Sequence, residues 1–75
     1  MITNKINTIL NNSQQGGIDY TICNYIKMNL KEVAFMSIEE LARKSYVSKA
    51  KISKFIKKLG YDNYIAFKDD CLLEL

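Results

Sequence analysis

Residues 37 to 60 hold two helix-start signals and one helix-stop signal, and that spacing admits little besides a helix, a tight turn and a second helix. Ser37 with Glu40 three residues later has the pattern of a capping box, in which the hydroxyl accepts a first-turn N–H and the carboxylate reaches back to the cap's own N–H. Ser48 is a second N-cap residue. Between them, Leu41 and Ala42 give the first helix an apolar edge with one small residue, where another helix can cross closely. Ser45, Tyr46 and Val47 are left to make the turn, and Gly60 ends the second helix as glycine does at C′.

The second helix separates into two faces when each residue is advanced by about 100°. Ile52, Phe55, Ile56 and Leu59 recur at i, i+3, i+4 and i+7, the stripe of a helix lying on a core. The other side carries Ala50, Lys54 and Lys57, flanked by Ser53, Lys51 and Lys58. Taken alone, such a lysine-rich side reads as solvated surface. The charge map argues for more. Of eleven Lys and Arg, seven lie between Arg43 and Lys58, and no acid falls between Glu40 and Asp62. That segment carries +7 and the remainder −4, within a net charge of +3. Ordinary surfaces interleave the two signs. Their segregation onto one motif is the electrostatic footprint of a nucleic-acid binder.

The motif also resembles a known family. Ser-Ile-Glu-Glu-Leu-Ala from Ser37, Val-Ser-Lys-Ala-Lys-Ile-Ser-Lys-Phe-Ile-Lys-Lys-Leu-Gly-Tyr from Val47, and Tyr-Ile-Ala-Phe-Lys from Tyr64 are similar to the amino-terminal helix-turn-helix domain of the RpiR/MurR transcriptional regulators. The likeness runs from Leu30 to Leu75 and is weak before Ile18. Two departures stand out. Lys51 and Lys54 occupy positions where the family commonly has threonine and arginine, so its base preference does not transfer, because lysine lacks arginine's planar fork. Tyr46 sits where many helix-turn-helix proteins place glycine, and a positive φ there would cost on the order of 1 kcal/mol. The resemblance further implies a carboxy-terminal sugar-isomerase-type domain that binds phosphosugars in full-length members, and nothing in these residues corresponds to it.

Seventy-five residues make one domain at most, spanning 1–75, with a small core. The apolar fraction of 48% and the charged fraction of 25% are those of an ordinary globular chain. With no proline and no sustained alternation of apolar and polar residues, the expected fold is all-α, a small multi-helix bundle containing a homeodomain-like helix-turn-helix without a wing. Residues 1–11 predict an amphipathic helix through Ile2, Ile6, Ile9 and Leu10, too short to stand alone in water. The surface it needs is either the chain's own core or a second subunit, and because the stretch from Asn11 to Gly17 reads as a flexible link, part of the burial is expected from a second subunit. Asp19 to Asn29 reads as the next helix, with Asp19 as its cap, Ile18, Ile22, Tyr25, Ile26 and Asn29 on one face, and Asn29 closing it through a left-handed turn. One helical turn follows, expected to pack Val33 and Phe35 beneath the motif. After Gly60, Asp62 or Asn63 caps a last helix with Tyr64, Phe67, Lys68, Cys71, Leu72 and Leu75 on one side and Ile65 near its edge. That pattern is still running at Leu75, so the chain is expected to be cut before an effector domain or to finish against another surface.

Catalysis has no foothold. There is no histidine, no glycine-rich phosphate loop, and no Ser or Cys beside a base. The neighbouring acids Glu39-Glu40 and Asp69-Asp70 point about 100° apart on a helix and do not converge. Cys23 and Cys71 lack metal-ligand spacing and read as reduced, buried small hydrophobes, so neither a metal nor a cofactor is expected. No run of about 18 apolar residues occurs, which fits a cytoplasmic protein.

The function expected from these residues is sequence-specific binding of operator double-stranded DNA by a homodimer, with the second helix of the motif in the major groove. Ser48 and the first-turn N–H groups of that helix would hold a phosphate. Lys49, Lys51 and Lys58 would mainly contact phosphates, and Ala50, Ser53, Lys54 and Lys57 would face base edges. A phosphosugar effector would act only through the missing domain. The alternative is a helical protein–protein or dimerisation module with a basic face, which explains less well why the cations gather on the second helix of a capped pair.

Overall fold

The computed structural model describes residues 2–12 and 17–75, and all of the regular structure among them is helical. Six helices follow one another: α1 (Ile2–Asn12), α2 (Ile18–Met28), α3 (Leu30–Val33), α4 (Ile38–Ser45), α5 (Lys49–Lys58) and α6 (Tyr64–Leu73). The expected helix-turn-helix is α4 and α5. A helix rather than a hairpin follows it, so there is no wing among the described residues.

Side chains start three of these helices. The Ser37 hydroxyl accepts the Glu40 N–H at 3.1 Å, Ser48 accepts the Lys51 N–H at 3.2 Å, and the Asn63 carbonyl oxygen accepts the Ala66 N–H at 2.8 Å. Each cap is worth about 1 kcal/mol relative to alanine. Only half of the capping box forms, because the Glu40 carboxylate faces Lys44 at 3.7 Å instead of returning to Ser37. The cap of α2 is Gly17 rather than Asp19, which falls in the first turn. Asn29 closes α2 without entering the left-handed region (φ −130°): its side-chain amide donates to the Tyr25 carbonyl at 2.9 Å. Its own carbonyl then accepts from Glu32 and Val33, so one residue ends α2 and begins α3.

The core gathers Ile2 and Ile6 of α1, Ile22, Cys23 and Ile26 of α2, Val33, Leu41, the α5 stripe, and Phe67 and Cys71 of α6. Ile2 and Ile6 are fully buried within the chain itself, so α1 needs no second subunit to cover it. The link expected from Asn11 to Gly17 is helical at Asn11 and Asn12, and residues 13–16 lie outside those described. After α3 it is Val33, Ala34 and Met36 that pack inward, while Phe35 is 70% exposed: a single turn followed by the Ala34 cap rotates it out to solvent. Ile18 also points outward, and Cys23 takes its place on the inner face of α2.

Only Phe67 and Cys71 of the expected α6 stripe are buried, with Tyr64 at the margin and Ile65, Leu72 and Leu75 exposed. Aromatic contacts fix this helix. The Phe67 ring lies 5.8 Å from Tyr61, edge-on, and 5.5 Å from Tyr64, whose hydroxyl donates to the Met36 carbonyl at 3.0 Å. Tyr61 donates to Asp70, and the Lys5 ammonium sits 4.1 Å from the Tyr61 ring centre, tying α1 to the same cluster. Cys23 and Cys71 are free thiols, and burial pushes both up to about 12.

Candidate nucleic-acid interface

Tyr46, Val47 and Ser48 make the turn between α4 and α5. Ser45, expected in the turn, is instead the last residue of α4, buried, with its hydroxyl donating to the Leu41 carbonyl at 2.6 Å. The turn closes as a Schellman motif, with the Val47 N–H reaching the Ala42 carbonyl at 3.1 Å across a left-handed Tyr46 (φ 61°, ψ 34°). The Tyr46 side chain is 94% exposed. This backbone stop turns the chain sharply, and the Ser48 cap then aims α5 across α4.

All eight residues expected to meet DNA lie on the exposed side of the motif: Ser48, Lys49, Ala50, Lys51, Ser53, Lys54, Lys57 and Lys58. The opposite stripe, Ile52, Phe55, Ile56 and Leu59, is buried. Helical projection splits the outer side further. Ala50, Lys54 and Lys57 stand outermost, Lys51 and Lys58 share the flank towards α2, and Lys49 with Ser53 occupies the other flank. The N–H groups of Lys49 and Ala50 have no partner inside the helix, and the Ser48 oxygen has already satisfied that of Lys51.

The segregation of charge seen along the chain is partly undone in space. Glu39 of α4 pairs with Lys49 at 2.7 Å, and Asp19 of α2 accepts from Lys58. The hydrogen bond from Lys49 holds the exposed Glu39 carboxyl below its usual range. Lys51, Lys54 and Lys57 have no ion pair among the described residues, so they carry the uncompensated charge of the outer face. Nothing in the residues alone marks Asp19 and Glu39 as partners of α5. Each faces a lysine on another helix, ten and thirty-nine positions away for Glu39–Lys49 and Asp19–Lys58 respectively, and periodicity within one helix carries no signal of that approach.

The family model described as the helix-turn-helix domain of the rpiR family matches residues 3–72. The chain belongs to this family. The match extends well beyond α4 and α5 and takes in most of α1, where the likeness in the residues alone is weak. An rpiR-family domain of this kind is a DNA-binding helix-turn-helix of transcription regulators, not an enzyme. The chain is also 40% identical over 48 residues to an uncharacterised HTH-type transcriptional regulator of Clostridium perfringens (strain 13 / Type A). That alignment covers 64% of this chain and 17% of the relative. No solved structure matches the chain. No helix among the described residues is long and apolar enough to cross a membrane, and no group of acids or cysteines among them is arranged to hold a metal ion.

Proposed function

We propose that this rpiR-family domain reads a specific operator sequence in double-stranded DNA by laying α5 in the major groove. The observation that carries the proposal is the division of one helix into a buried apolar stripe and an exposed side where three unpaired lysines surround a small residue, Ala50. Ala50, Ser53, Lys54 and Lys57 face base edges, and the small side chain at Ala50 lets the start of the helix approach closely. Ser48, Lys49, Lys51 and Lys58 hold backbone phosphates, aided by the free N–H groups at the positive end of the helix.

The working unit is a homodimer. One chain measures 27 Å along its longest principal axis and carries one α5, whereas paired half-sites on one face of DNA lie about 34 Å apart. The chain spans 17% of the regulator it resembles, which leaves room for a phosphosugar-binding domain elsewhere in a longer cytoplasmic protein.

The test is binding of the 75-residue chain to the DNA upstream of its own operon, against unrelated DNA, across a salt series. Base readout requires tighter binding to the cognate duplex that survives about 150 mM salt. Equal, steeply salt-sensitive binding to both duplexes would contradict it.

A further inference from the structure

Between the first turn of α2 and the outer flank of α5 lies a recess of about 280 Å³. It is lined by Ile18 and Phe55 and by four charged residues: Lys51, Lys54 and Lys58 of α5, and Asp19 of α2. The three lysines follow one another at i, i+3 and i+7, so Lys51 and Lys58 share the flank towards α2 and Lys54 stands at its outer margin. The Lys58 ammonium donates to the Asp19 carboxylate, while Lys51 and Lys54 have no ion pair among the described residues. Three cations thus converge on a recess that holds a single carboxylate.

We propose that this recess is a phosphate subsite whose resident anion is the chain's own Asp19, and that a backbone phosphate of duplex DNA enters it by taking Lys58 from Asp19. This rests on the reading of α5 as the DNA-facing helix. A carboxylate and a phosphodiester offer an ammonium the same thing, a pair of oxygens sharing one negative charge. Asp19 is tethered to α2 and reaches Lys58 alone. A phosphate in the same recess meets Lys51 as well and lies within the field of Lys54 at its rim, so the exchange favours the duplex. Asp19 nevertheless opposes binding twice, since it competes for Lys58 and then stands as a like charge near the incoming phosphate. When it gives up Lys58 it takes a cation from solution, which offsets about one of the counterions released from the DNA.

Asp19→Asn, Lys58→Ala and the double variant of the 75-residue chain, each checked for intact helicity, are titrated onto a labelled duplex from upstream of its own operon across a salt series. Asp19→Asn is expected to bind about three- to tenfold tighter near 100 mM salt, with a salt slope steeper by about one unit. In the Lys58→Ala background the same substitution should lose most of that gain. A gain that persists undiminished without Lys58 would reduce Asp19 to a distant charge and overturn the exchange, as would unchanged affinity. Titration of Asp19→Asn with inorganic phosphate, followed by lysine-side-chain NMR, separates the two sources of phosphate. Saturable shifts at Lys51, Lys54 and Lys58 without any gain on the duplex would assign the recess to a small phosphate ester and sink the proposal. Binding that ignores Asp19 defeats this inference alone, whereas failure of every variant to bind any duplex near 20 mM salt defeats the α5 reading and the inference with it.

Discussion

On the inner face of α5, Ile52, Phe55, Ile56 and Leu59 belong to the buried core and are closed off from water, while on the outer face every residue from Lys49 to Lys58 outside that stripe is exposed. The two faces share one backbone but answer to different physics. Burial of apolar surface holds the first, at about 25 cal/mol per Å² removed from water. The second adds little to folding, since its ion pairs are solvated and screened. Substitutions on one helix should therefore divide into those that unfold the domain and those that leave it folded but change what it binds. The turns at either end of α5 sharpen the contrast. Both close as Schellman motifs, one across Tyr46 at φ 61° and the other across Gly60 at φ 103°. Tyr46 sits in the left-handed basin that an L residue can enter at a cost, whereas Gly60 lies beyond it.

The largest effect expected is that of Phe55→Ala, which empties the centre of the inner face and should cost about 3–5 kcal/mol in denaturant unfolding, enough to abolish the fold of so small a domain. Next comes Gly60→Ala. The nearest atom to an added Cβ is the Lys5 ammonium nitrogen at 3.8 Å, so space is open and the loss is conformational, more than about 1 kcal/mol. Were Gly60→Ala neutral, the left-handed turn would not be what fixes the end of α5. Tyr46→Gly acts in the opposite direction. It relieves a left-handed tyrosine that buries almost nothing, and thermal unfolding should show up to about 1 kcal/mol of added stability. The smallest effect on folding is that of Lys54→Ala, expected within about 0.5 kcal/mol of the parent. The same variant should shallow the salt dependence of DNA binding by about one unit of slope. If Lys54→Ala destabilised the fold as much as Phe55→Ala, the division of α5 into two faces would be wrong.

Most of what positions the interface was legible in the residues. Ser37, Ser48 and Asn63 cap the helices they were expected to cap or to share in capping, Gly60 ends α5, and the four-residue stripe of α5 is the one that is buried. These are local signals, set within one turn or one helix. What escaped depends on contacts between helices. Phe35 and Ile18 looked apolar enough for the core, but the directions of α3 and the first turn of α2 leave them outside. The apolar residues of α6 run nearly all round it, so periodicity could not say that Phe67 and Cys71 face inward and Leu72 does not. Asp19 reads as a cap of its own helix and Glu39 as an acid that converges with nothing, and only the placement of α2 and α4 beside α5 brings them to Lys58 and Lys49. Helix α1 is too short to stand alone and its link reads as flexible, which points to a second subunit, yet Ile2 and Ile6 complete the chain's own core.

The most direct test of α5 as the DNA-reading helix is a map of backbone amide NMR shifts in the 15N-labelled chain as a duplex from upstream of its own operon is added. The expected shifts gather from Ser48 to Lys58, strongest at Ala50, Ser53, Lys54 and Lys57, and spread along the flank to Asp19. Shifts confined instead to Phe35 and the exposed Ile65 and Leu72 of α6, with α5 unmoved, would contradict it.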